Sequence, residues 1–227
     1  MIAPETLARW QSALPFWMSF LLLPLAWTAA MQGGWALILP PLVTGIVAKR
    51  WRGDYVMTPG GATPVGALGH VSAGLELAEQ VDAGAMPPPR TIYLAVGSTC
   101  TSAGLWLGLH LAAALGVGFG EGKAPIPQLR PVRVTPWPIT STSMVRWLAK
   151  WTAWRLDALL DGKSPLKGRQ LGPGLQVVGG FIGKGYGYPT DTGMRAIAAM
   201  EAAGWPHLDP VYSGKSAAGL LARVGAE

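Results

Sequence analysis

Three short segments hold the residues whose types and spacing suit them to chemistry. Gly97-Ser98-Thr99-Cys100-Thr101-Ser102-Ala103-Gly104 places small and hydroxyl side chains between an apolar run and a helical pattern. A turn of that kind offers backbone N–H groups, hydroxyls and the positive end of a helix dipole to a phosphate dianion. The same residues serve equally well as an unliganded N-cap. Cys100 beside a helix start suits a nucleophile, and it suits a small filler residue better. Gly183-Lys184-Gly185-Tyr186-Gly187-Tyr188-Pro189-Thr190 presents two phenols and a lysine from a glycine-dense turn. Tyr186, flanked by glycines, would either approach a substrate closely or pack over its own loop. Leu208-Asp209-Pro210-Val211-Tyr212-Ser213-Gly214-Lys215-Ser216 ends like a nucleotide P-loop, but Asp209 stands where the leading glycine belongs. Asp161-Gly162-Lys163-Ser164 fails the same test at Asp157, so ATPase chemistry is not expected.

These segments need elements to hold them. Val65, Leu68, Val71, Leu75 and Ala78 recur at spacings of three and four, which predicts an amphipathic helix reaching about Val81. Thr91 to Val96 is a short apolar, partly β-branched run bounded by turn residues, as a buried parallel strand requires. A helix over Ala103 to Leu115 follows. The alternation continues with Val132 to Val134 as strand, Ser141 to Leu160 as helix, Leu175 to Val178 as strand, and helices over Asp191 to Ala203 and Ser213 to Val224. Strands alternating with helices give an α/β fold with a mainly parallel sheet. Ligands sit at the carboxyl ends of such strands. The Gly97 turn lies there.

Composition narrows the class further. The chain has 227 residues, 50% hydrophobic and 13% charged, which excludes a disordered or highly solvated protein. Its net charge of +6 is spread without a dense basic run or a nucleic-acid-binding motif, so no nucleic-acid partner is expected. A single cysteine excludes an intrachain disulfide and a multi-cysteine zinc site. His70, His110 and His207 stand far apart, and no metal site is expected.

The texture changes near residue 53. From Trp10 through Ala48 a run of 39 residues contains no Asp, Glu, Lys or Arg, broken by Gln32-Gly33-Gly34. Leu14 to Met31 is long enough for a bilayer span and Trp35 to Ala48 is short for one, so two tilted or shallow helices form the natural reading. Arg9 and Lys49-Arg50-Trp51-Arg52 bound the run, which would keep both ends in the cytoplasm and tether a cytoplasmic α/β domain to the membrane. A buried hairpin of a cytoplasmic protein and a signal peptide ending near Thr28-Ala29-Ala30 are the alternatives. Two domains are expected, residues 1–53 and residues 54–227, with few mutual contacts. Leu14-Pro15-Phe16-Trp17-Met18-Ser19-Phe20-Leu21-Leu22-Leu23-Pro24-Leu25 with Gly33-Gly34-Trp35 resembles the first membrane hairpin of bacterial alkane monooxygenases. Those di-iron enzymes hold metal with histidine clusters that three scattered histidines cannot supply, so their chemistry does not come with the resemblance.

Taken together with Thr58-Pro59-Gly60-Gly61 and Gly66-Ala67-Leu68-Gly69, the Gly97 turn, the Gly185 to Thr190 loop and Asp209 to Lys215 define a second resemblance. Residues 54–227 are similar to the carboxyl-terminal part of the pyridoxal-phosphate-dependent 1-aminocyclopropane-1-carboxylate deaminase and D-cysteine desulfhydrase family. That resemblance implies an incomplete parallel-sheet, three-layer domain of a fold-type-II enzyme and pyridoxal 5'-phosphate as cofactor. It implies a small amino-acid substrate and a homodimer. Gly97, Ser98, Thr99, Cys100 and Thr101 would hold the cofactor phosphate. Tyr186 and Tyr212 would face the substrate, and Ser213 would partner the pyridine nitrogen and leave it largely unprotonated. The family's Schiff-base lysine lies in an Asn-Lys-x-Arg-like stretch that has no counterpart before Asp54. Lys184 and Lys215 are read as solvated or helix-start lysines. A truncated lyase or deaminase with weak or absent activity is therefore expected. The other readings are a membrane-tethered noncatalytic α/β module that binds a phosphorylated ligand or partner, and a fusion of two gene fragments.

Overall fold

A computed structural model describes residues 57–136, 140–166 and 170–224. By its contacts the chain divides into residues 1–57 and 58–227, and the described elements belong to the second unit. The hairpin expected over residues 10–48 lies outside the described residues. Among the described residues no helix is long and apolar enough to cross a membrane.

After a 3-10 turn at Pro59–Gly61 come α1 (Pro64–Asp82), β1 (Thr91–Val96), α2 (Cys100–Ala114), β2 (Gln128–Arg133), α3 (Thr142–Leu159), α4 (Asp191–Ala202) and α5 (Ser213–Val224). Local chemistry sets most boundaries. Thr63, Ser141 and Thr190 cap α1, α3 and α4 by accepting from the N–H groups of Gly66, Met144 and Gly193, and Pro64 takes the first position of α1.

β1 and β2 pair in parallel, with Thr91 opposite Gln128 and Val96 opposite Arg133. The strand expected at Leu175 to Val178 lies along β2 as two isolated parallel bridges, Leu129 to Leu175 and Val132 to Val178. Pro131 explains the interruption. Its carbonyl accepts from Val178 N–H at 2.8 Å, but proline has no N–H to give to Gln176 in return.

The sheet carries helices on both faces, as a three-layer fold requires. Leu129 joins Val96, Ala103, Trp106, Val145 and Leu148 in one core cluster, which belongs to α2 and α3. Val132, three residues on and therefore on the opposite face, meets α5, where a Cβ at Gly219 would lie 2.5 Å from Val132 Cγ2. Ala196 of α4 and Ala217 and Ala218 of α5 pack together in a cluster of their own.

The buried face of α1 differs from the expected one. Val65 is exposed, and the helix buries Ala67, Val71, Gly74 and Ala78. Close approach of α2 is the reason. A Cβ at Gly104 would fall 2.3 Å from Ala67 O, one at Gly108 2.4 Å from Val71 O, and one at Gly74 2.9 Å from Gly108 Cα. Small residues face each other where the backbones nearly touch, and the leucines move to the flanks.

Candidate functional site

β1 delivers the chain to the Gly97 turn at its carboxyl end, and α2 begins at Cys100, three residues earlier than expected. Cys100 and Thr101 are thus the first turn of the helix rather than part of a loop. Thr99 adopts a left-handed conformation (φ 70°) just before it. The Gly97 carbonyl accepts from the hydroxyls of Thr135 and Thr140 at 3.1 and 2.8 Å, which fixes the peptide leading into the turn. Ser98 Oγ donates to Gly60 O at 3.0 Å and Cys100 Sγ to Gly61 O at 3.2 Å, so both side chains anchor the 59–61 turn. Burial pushes the Cys100 thiol up, away from the thiolate that a nucleophile needs.

The backbone tells the complementary story. The first N–H of this segment to find a protein acceptor is that of Ala103, bonded to Thr99 O at 2.9 Å. The N–H groups of Ser98 to Ser102 have no acceptor among the described residues. Ser102 Oγ is also buried without a partner, in a residue only 1% exposed. Unpaired donors and a buried hydroxyl at a helix start fit an anion with several acceptor oxygens, such as a phosphate. His70, absent from the sequence reading as a site residue, lies with Nε2 3.3 Å from Thr101 Oγ1. The signal that could have found it is helical spacing on α1, which places it beside the Ala67 and Val71 face toward α2.

The second group forms around the start of α5. Tyr212 Oη donates to Tyr186 Oη at 2.8 Å, with ring centroids 6.0 Å apart. That hydrogen bond, followed by burial, raises the Tyr212 phenol above its ordinary value. Asp209 builds the corner beneath it. One carboxylate oxygen accepts from the N–H groups of Val211 and Tyr212 at 2.9 and 2.7 Å, and the other from the Ser213 N–H at 2.8 Å. Partial burial pushes the Asp209 carboxyl up, but the Ser213 hydroxyl and these N–H groups bring it to about 2. The Ser213 hydroxyl therefore donates a hydrogen bond to the Asp209 carboxylate.

Lys215 departs most from expectation. It is 0% exposed rather than solvated, and its Nζ donates to Ile182 O at 3.0 Å and Gly185 O at 3.4 Å. It ties the tyrosine loop onto α5, and burial lowers its pKa. Lys184 is exposed. Tyr186, Tyr212 and Ser213 are thus brought together through Asp209 and Lys215, while Gly97 to Thr101 gather with His70 and the Gly60-Gly61 turn. No hydrogen bond among the described residues joins the two groups, and both stand on the one sheet that α5 packs against. Among the described residues no cluster of His, Cys, Asp or Glu could hold a metal.

A parallel α/β sheet with a turn of unpaired N–H groups after its first strand, and a phenol pair at a later helix start, defines the class as a three-layer α/β protein. No model of a known protein family matches the sequence. The chain is 31% identical over 184 residues to D-cysteine desulfhydrase of Salmonella paratyphi B, covering 81% of this chain and 48% of that protein. The same figures hold for D-cysteine desulfhydrase of Salmonella newport. The crystal structure of an ACC deaminase homologue superposes with a TM-score of 0.59 at 28% identity, covering 86% of this chain and 53% of the other. Over the matched part the chain is similar to the pyridoxal-phosphate-dependent ACC deaminase and D-cysteine desulfhydrase family. It spans about half the length of the curated relatives it matches.

Proposed function

We propose that residues 58–224 bind pyridoxal 5'-phosphate and act on a small amino acid as a deaminase or desulfhydrase does. The observation that carries this reading is the set of unpaired N–H groups from Ser98 to Ser102 with the buried Ser102 hydroxyl beside them. They bind the phosphate, and His70 holds Thr101 in place at that rim. Pyridoxal phosphate, when bound, supplies the electron sink for cleavage of a carbon–sulfur or ring bond.

The chain's own residues then orient and hold protons. Tyr212 keeps its proton and donates it to the Tyr186 oxygen, so Tyr186 retains its own proton for a substrate. Lys215 holds the Tyr186 loop from below. Ser213 donates to Asp209 here, and turned off that carboxylate its hydroxyl would donate to an unprotonated ring nitrogen. Residues 10–48 are the membrane-associating segment in this proposal, on the strength of their charge-free run.

Among the described lysines, Lys123 pairs with Asp82, Lys215 is committed to two carbonyls, and Lys150, Lys163 and Lys184 are exposed rather than desolvated as a Schiff-base amine is. We therefore expect the cofactor to bind reversibly, with turnover weak or absent. Titration with pyridoxal phosphate followed by phosphorus NMR, with inorganic phosphate as competitor, tests the binding. Borohydride reduction and peptide mapping test the anchor. Failure to bind either phosphate species overturns the cofactor assignment, and a lysine fixed at a single site overturns the expectation of reversible attachment.

A further inference from the structure

The outer face of α3 plays no part in the site, and its residue types point elsewhere. Trp147, Trp151 and Trp154 are 53%, 38% and 61% exposed. At about 100° per residue they fall on one crest with Met144 and Ala158, opposite the buried Val145, Leu148, Ala149, Thr152 and Ala153. Trp147 and Trp151 lie against each other with ring centroids 4.7 Å apart. A shallow cleft runs between the three indoles and Lys150.

The flanks of this crest carry two exposed cations, with Asp157 two turns from Lys150 on the same side. Exposed Lys150 lies on one side and exposed Arg155 on the other. Arg146 turns inward, its guanidinium 5.8 Å from the Trp106 ring. The Asp157 carboxylate is engaged by the Ser164 N–H at 3.2 Å. An indole ridge with basic flanks matches the headgroup level of an anionic bilayer, where the ring body is apolar, its N–H stays wet and the cations meet lipid phosphates.

Area argues against a second copy. At about 250 Å² for a fully exposed tryptophan, the three indoles offer roughly 400 Å². A stable protein interface buries about 800 Å² on each partner. From these observations we propose that the Trp147, Trp151 and Trp154 crest of α3 docks on an anionic membrane surface, with Lys150 and Arg155 contacting lipid headgroups.

The test uses the full chain bearing Ala158→Cys labelled with an environment-sensitive fluorophore; Cys100 is buried, and peptide mapping confirms a single label. On vesicles of phosphatidylcholine with phosphatidylserine the label shifts to the blue and is quenched by brominated lipid, and on phosphatidylcholine alone it does not. Lys150→Gln and Arg155→Gln each lower the population of label in the quenched, docked state roughly fivefold, a local readout that binding through residues 10–48 does not supply. Replacing the three indoles together with serine abolishes the shift while circular dichroism stays unchanged. A label that ignores both vesicle types overturns the proposal, as does an equal shift on neutral vesicles. So does a lipid-free shift that grows with protein concentration alongside dimer in sedimentation, which would make the crest a self-interface.

Discussion

Lys215→Met is the sharpest probe of how the tyrosine pair is held. Methionine keeps the length and lack of branching but removes the ammonium that bonds Ile182 O and Gly185 O. Each carbonyl left unpaired costs about 1–3 kcal/mol. The offset is the desolvation of an ammonium that is fully buried, itself worth several kcal/mol. The loss of two acceptor contacts and the relief of charge burial nearly balance, leaving a net destabilisation of about 2 kcal/mol at neutral pH. For a domain of this size that lowers the melting temperature by roughly 4–8 °C.

The pH dependence fixes the sign. Because burial lowers the folded pKa of Lys215, the unfolded chain binds more protons between that value and the ordinary 10.5. Wild-type stability therefore gains from this group as pH rises into that window, and the gap to Lys215→Met widens. Thermal melts at stepped alkaline pH measure it, with the exposed Lys184→Met as a control that changes nothing. Equal melting of Lys215→Met and wild type, or a gap that narrows as pH rises, would refute the reasoning.

Tyr186→Phe removes the acceptor that raises Tyr212, so the ultraviolet titration of the tyrosinates loses its most alkaline component. Asp209→Ala strips the start of α5 of its cap and is expected to cost about 0.5–2 kcal/mol in denaturant melts. Asp209→Asn isolates the charge: the folded carboxyl lies below its ordinary value, so its contribution is complete above about pH 4 and is lost as pH falls through about 2. Acid melts of this variant are flatter there than wild type. Gly108→Ala drives a methyl to 2.4 Å from Val71 O in the α1–α2 contact, and a loss of about 1–3 kcal/mol or more is expected by calorimetry. Ser102→Ala lowers the affinity for pyridoxal phosphate and for inorganic phosphate together, read by the phosphorus NMR titration.

What the sequence reveals here depends on the range of the forces involved. β1 is legible to the residue because a short apolar run between turns has few other fates, and α5 is legible because its apolar spacing and the Asp209 corner agree. The failures are non-local. Helical periodicity gives α1 a leucine and valine face, yet the glycines of α2 bring the backbones so close that only Ala67 and Gly74 fit alongside Val71, and Gly118 just beyond α2 does the same at Ala78. Nothing within α1 records that α2 is its partner. The third strand is lost in the same way, because Pro131 lies in the neighbouring strand and not in the segment it interrupts.

The site follows this division. The turn and both tyrosines stand out in sequence because glycine and hydroxyl patterns are local signatures. Lys215 does not, because a lysine after a glycine at a helix start is ordinarily solvated, and its two carbonyl acceptors lie 33 and 30 residues away. The buried ammonium is nevertheless what converts two separate sequence motifs into one phenol pair. The contact most decisive for the site's geometry is the one that local patterning conceals, and double substitution of Lys215 and Tyr186 should show it as non-additive stability.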